Sequence, residues 1–107
     1  MNLARSIDPG AGFADPVRDA QACYRGILSA FARPGTIVTL GPAPAAPEGL
    51  SRAMISLALT LCDYEAPLWL DATLHASRPV RDYLGLHTGA PICEAPSHAA
   101  FAFVSCW

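Results

Sequence analysis

Asp15-Pro16-Val17-Arg18-Asp19-Ala20 runs on to Phe31-Ala32-Arg33-Pro34-Gly35 and then to Thr36-Ile37-Val38-Thr39-Leu40, and the fold class turns on this stretch. Asp15 has the side chain of a helix N-cap, and Pro16 suits the first helical position, where its missing N–H removes no bond. Val17, Ala20, Tyr24, Ile27, Leu28 and Phe31 recur at helical spacing on one face, with Arg18, Ala22, Arg25 and Ser29 on another. Pro34 stops the helix at Ala32 or Arg33, and Gly35 opens a turn. The β-branched run Thr36–Leu40 then reads as a strand. A helix handing over to a strand through a tight turn predicts an α/β domain.

Downstream, Gly41-Pro42-Ala43-Pro44-Ala45-Ala46-Pro47 reads as an extended surface linker, because its prolines favour an extended backbone. A second helix is predicted from about Leu50 to Cys62. It is apolar nearly all round and should be buried on more than one face. Asp63-Tyr64-Glu65-Ala66 turns into a short strand, Pro67–Leu70. Asp71 caps a short helix to Ala76, and Ser77 caps another from Arg78 to about Leu86, with Val80, Tyr83 and Leu84 inward. His87-Thr88-Gly89-Ala90-Pro91 reads as a loop, Pro96–His98 as one turn, and Phe101–Val104 as a last strand. Residues 1–12 read as a loose lead-in, and 13–107 as one unit without an internal repeat.

The composition removes several function classes. The 107 residues are 52% hydrophobic and 15% charged, against about 25% charged in a typical soluble domain. So apolar a chain predicts a surface that is partly covered. Seven scattered arginines and a net charge of −2 give no basic stripe for nucleic acid. The chain has no lysine, so it cannot form a Schiff base with pyridoxal phosphate and has no Gly-Lys-Ser/Thr phosphate loop. The longest apolar run, Ala53–Cys62, is about half of the ~20 residues a bilayer needs. No apolar run of signal-peptide length stands at the N-terminus, and a cytoplasmic protein is expected.

Cys23, Cys62, Cys93 and Cys106 lack the close spacing of zinc or redox motifs and are expected as buried free thiols. His75, His87 and His98 are equally dispersed. No catalytic, cofactor-binding or metal-binding set is read, and no cofactor is expected. Four residues stand out as ligand or subunit contacts. Arg25, two turns beyond Arg18, and Arg33 near the helix end have the guanidinium geometry to clamp a polyphosphate, although Asp15, Asp19 and solvent satisfy them equally well. Gln21 is a candidate intersubunit hydrogen bonder. His87 is the best acid–base candidate, with a structural role in its loop as the alternative.

One family carries this ordered set of segments: Phe13–Gln21 with Tyr24-Arg25, Ala32–Val38, Leu59-Thr60-Leu61-Cys62-Asp63, Ala66–Leu70, Leu86–Pro91 and Phe101–Val104. The chain resembles the H-subunit family of the bacterial carbon–phosphorus lyase core complex, PhnH, over residues 13–104, and matches the N-terminal half of a family domain about twice as long. The resemblance implies a layered α/β/α fold with a mixed sheet, similar to the large domain of pyridoxal-phosphate-dependent transferases but without that cofactor, and incomplete here, with the helix at 50–62 left bare for the second half to cover. It also implies a cytoplasmic homodimer that joins the G, I and J subunits. With G, I and L it would support the step in which an alkylphosphonate replaces adenine at the ribose C1 of ATP. Carbon–phosphorus cleavage comes later, on the J subunit. The alternatives are a non-catalytic scaffold or dimerisation subunit, and an inactive truncated fragment.

Overall fold

The structure is a computed structural model that describes residues 12–41 and 43–105. The expected lead-in up to residue 11, together with Cys106 and Trp107, lies outside the described residues.

Helix α1 spans Pro16–Ala32, as its caps predict. The Asp15 carboxylate accepts from the Arg18 N–H at 3.2 Å, and the Asp15 N–H donates to Asp19 Oδ2 at 3.1 Å. This reciprocal pair satisfies donors that the first turn cannot. At the other end Arg33 closes the helix, its N–H on the Ser29 carbonyl, and Gly35 takes a positive φ of 92° in the turn beyond. The buried line of α1 is Cys23 and Ile27. Val17, Tyr24, Leu28 and Phe31 share the apolar arc read from the sequence but stand 48–79% exposed. The arc is wider than the surface this chain lays against it.

Thr36–Leu40 is extended but pairs with no strand. A Cβ on Gly26 of α1 would meet Leu40 Cδ2 at 3.0 Å and Val38 Cγ1 at 3.5 Å, so the segment lies on the helix with the glycine admitting it. Ile37 points away and is 97% exposed. β-Branched residues favour an extended backbone, but a strand needs a neighbour to take its hydrogen bonds, and none is present here among the described residues.

Helix α2 spans Arg52–Leu61, two residues inside the predicted start, with Ser51 as its cap (Met54 N–H to Ser51 Oγ, 3.1 Å). Leu50 enters the core just before it. Ile55, Ser56 and Ala58 are buried, and Met54, Leu57, Leu59 and Leu61 are half-buried. The expectation that this helix lies bare is therefore not met. It is sandwiched between α1 and α4 (Arg78–Thr88), and the exposed large apolar side chains among the described residues lie on α1 and at Ile37, Tyr64, Leu86 and Val104.

Strand β1 (Leu68–Leu70) leads through α3 (Ala72–Ala76) and α4 to a 3-10 turn at Pro96–His98 and strand β2 (Phe101–Phe103). The strands are parallel, with Leu68 opposite Phe101 and Leu70 opposite Phe103, as a connection through helices requires. A single parallel bridge from Leu68 to Ile92 flanks β1 on its other side. Ser77 ends α3 and caps α4. Leu68, Leu70, Leu74, Val80, Tyr83 and Leu84 form the centre of the core, each 0–2% exposed.

The expected layered α/β/α fold with a mixed sheet, on the pattern of pyridoxal-phosphate-dependent transferases, is corrected by this arrangement. Among the described residues the sheet has two strands and both are parallel. Thr36–Leu40 was needed as a further strand, and its packing on Gly26 of α1 keeps it away from β1 and β2. Among the described residues no helix is long and apolar enough to cross a membrane.

Candidate functional site

Three of the four predicted contact residues sit on one element. Gln21 and Arg25 are exposed along α1, and no hydrogen bond or ion pair among the described residues engages either side chain. Arg33 is exposed at the helix end. Its Nη2 donates to Ser29 Oγ at 2.8 Å, and its carbonyl accepts from Thr36 Oγ1 at 2.7 Å, which fixes the turn. Arg18 leans toward Asp15 at 3.9 Å, a solvent-exposed pair of little energetic weight.

His87 falls elsewhere and in a different setting from the one expected. Helix α4 continues through Thr88 and ends on Gly89 in the left-handed conformation, φ 72°, so His87 occupies the last helical turn and not a loop. Its ring lies against that of Tyr83, centroids 4.4 Å apart and tilted by 44°. Its Nδ1 lies 3.4 Å from where a Cβ on Gly12 would stand. The half-buried ring is thus wedged between α4 and the segment before α1. Gln21, Arg25 and Arg33 thus share one helix, while His87 belongs to another.

Two concave surfaces lie apart from these four residues. A groove of about 560 Å3 runs between the extended segment Val38–Gly41 and the start of α2, with Arg52 on its rim and Ala53 and Ser56 on its floor. A shallower recess of about 330 Å3 is lined by Trp69, His75, Cys93 and Glu94, among others. The recess thus holds a thiol, an imidazole and a carboxylate in its lining, and the Cys93 thiol donates to the Ala95 carbonyl at 3.5 Å. Among the described residues no three His, Cys, Asp or Glu side chains converge as a metal site.

The thiols follow their surroundings. Cys23 and Cys62 are buried, Cys93 is half-buried, and all three are free. Burial, reinforced by the neighbouring Asp63 charge, pushes the Cys62 thiol up to about 11, so at neutral pH it stays protonated and unreactive. Burial also raises the Tyr83 phenol above its usual range.

Sequence reasoning missed two further residues. Asp71 reads as a cap and does accept from the Leu74 N–H at 2.9 Å. Its other oxygen also accepts from the Ser105 N–H and hydroxyl at 2.6 and 2.8 Å, which binds the segment after β2 to the end of β1. Those partners lie 34 residues apart, beyond the reach of any local pattern. Arg81 Nε is buried without a hydrogen-bond partner among the described residues. Its place beside the inward Val80, Tyr83 and Leu84 was the available signal.

Fold and surface together define a small α/β unit with a well-packed βαβ core and chemistry-bearing side chains spread over separate elements, while one helix carries an apolar face to the outside. Residues 11–106 match the family described as bacterial phosphonate metabolism protein (PhnH). A curated relative, the alpha-D-ribose 1-methylphosphonate 5-triphosphate synthase subunit PhnH of Rhizobium meliloti (strain 1021), is 42% identical over 103 residues. The match covers 96% of this chain and 50% of the relative, so the chain spans about half the relative's length. The chain belongs to the PhnH family.

Proposed function

We propose that this chain acts as the H subunit of a ribose 1-alkylphosphonate 5-triphosphate synthase, supporting the transfer of the ribose triphosphate of ATP onto an alkylphosphonate. The observation that carries this reading is the 42% identity to the Rhizobium meliloti synthase subunit along nearly the whole chain. Within that system the chain serves assembly. Its candidate side chains are dispersed, and its most prominent surface feature is the uncovered apolar face of α1. Its partners are a second copy of itself and the G, I, J and L subunits, in the cytoplasm, with ATP and alkylphosphonate as substrates of the whole complex.

Residues 13–107 form the N-terminal portion of the family domain. Two observations support this: the match spans half the relative, and β2 has only β1 as a strand neighbour among the described residues, whereas two-stranded sheets are marginal alone.

Co-expression with the other subunits, followed by affinity purification on a tag carried by this chain, tests the reading. Recovery of the G, I and J subunits in fixed ratio is expected, and a chain that elutes alone refutes it.

A further inference from the structure

The groove at the start of α2 is lined by hydrogen-bond donors and by no acid. Arg52 stands on its rim with no carboxylate paired to it among the described residues, and neither Asp nor Glu is among the described residues of its walls. The N-terminus of α2 opens onto the same place. Ser51 takes the Met54 N–H at 3.1 Å, while the N–H groups of Arg52 and Ala53 have no acceptor among the described residues. Such N–H groups carry the positive end of the helix dipole. One turn further on, Ser56 lies on the helix face that Arg52 begins. Ser56 lines the groove and is only 1% exposed, yet its hydroxyl has no hydrogen-bond partner among the described residues. A buried hydroxyl without a partner costs stability, so a ligand that accepts from it is favoured. The facing wall is the extended segment Val38–Gly41. It adds the Thr39 hydroxyl and backbone N–H groups that pair with no strand among the described residues.

We propose that this groove binds a phosphate or phosphonate group, held by the Arg52 guanidinium, the first N–H groups of α2 and the Ser56 hydroxyl. The choice of a phosphorus oxyanion rests on reading the chain as a synthase subunit, and the geometry suits it. A tetrahedral group points its oxygens in three directions, toward the helix end, the floor and the facing wall together. A planar carboxylate offers two oxygens in one plane. A guanidinium meets such a group with two parallel N–H donors, and a helix N-terminus favours its charge. At about 560 Å3 the groove has the size of a small-molecule site. It lies apart from Gln21, Arg25, Arg33 and His87, so the anion is held by α2 and not by the arginines of α1.

Titration of this chain with methylphosphonate, tripolyphosphate and ATP, followed by phosphorus NMR and by the amide signals of the chain, tests the site. Binding is expected to move the Arg52 and Ala53 amide protons downfield. Arg52→Ala is expected to weaken binding about ten-fold through its lost charge-assisted bonds. Arg78→Ala removes the same charge from α4 and is expected to leave binding as it is. Ser56→Ala is expected to weaken binding about five-fold while its urea midpoint holds or rises, because an unsatisfied buried hydroxyl is deleted. A serine with a purely structural role would lower the midpoint instead. Tighter binding of tripolyphosphate and ATP assigns the groove to a triphosphate, and tighter binding of methylphosphonate assigns it to the phosphonate. No binding, acetate bound as tightly as methylphosphonate, or equal losses from Arg52→Ala and Arg78→Ala overturns the proposal. The chain is titrated without the other subunits, so failure here is separate from failure to join the complex.

Discussion

Cys62 shows how much one side chain's surroundings decide. The thiol is 8% exposed, closes α2 and sits beside Asp63, and its pKa climbs from an ordinary 9.0 to about 11. A group whose pKa is higher folded than unfolded holds its proton more tightly in the folded state. Its stabilisation is complete below pH 9 and is lost as the pH rises through 11, to the extent of about 2–3 kcal/mol. Cys62→Ala should flatten that part of the alkaline limb of a urea-denaturation series relative to wild type. Arg25 gives the opposite case. It is exposed on α1 with no side-chain partner among the described residues, so Arg25→Ala should leave unfolding free energy within about 0.5 kcal/mol of wild type. On the assembly reading, it also leaves binding of ATP and methylphosphonate by the assembled complex unchanged. Titration calorimetry checks that, and a large loss of affinity would return Arg25 to a ligand site. Buried thiols were legible in the sequence because three cysteines lie in apolar runs. The second role of Asp71 was not, because its partner Ser105 is far away along the chain.

At the scale of elements, local chemistry read well and pairing read poorly. Asp15, Ser77 and Asp71 cap the helices they were expected to cap, because a cap is decided within three residues of its donor. The end of α4 was misplaced by two residues. Gly89 was the stop signal, and helical spacing carries His87 and Thr88 up to it. Thr36–Leu40 failed as a strand for a different reason. Its composition sets the backbone, but a strand is a relation to a neighbour, and Gly26 of α1 offers the segment another surface. Two substitutions follow from these contacts. Gly89→Ala should lower stability by about 1–2 kcal/mol, since the left-handed backbone penalises a Cβ even though Tyr64, 3.8 Å away, leaves room for it. Asp71→Ala should lower it by about 2 kcal/mol, combining a lost cap with the lost charge-assisted bonds to Ser105. Both are measured by urea midpoint, and Asp71→Ser should recover only the cap.

For the whole molecule, the apolar excess in the composition was real, but its location was not where helix periodicity put it. The helix at 52–61 packs between α1 and α4, and the uncovered apolar side chains include an outer stripe of α1 together with Ile37, Tyr64, Leu86 and Val104. The Cα radius of gyration, 14.1 Å, exceeds the ~13 Å of a compact 100-residue domain, in keeping with a chain that spans half of its relative and has a two-stranded sheet. Family membership was legible as an ordered set of short segments, none decisive alone. The layered mixed sheet is the reading that the structure corrects, because among the described residues the sheet has two strands, both parallel. As proposed, this chain is an assembly subunit of a phosphonate-processing synthase. Native mass spectrometry of the co-expressed subunits, purified through a tag on this chain, tests it most directly. A complex containing this chain together with the G, I and J subunits is the expected result; this chain in monomer or homodimer form only, with the other subunits in the flow-through, would contradict it.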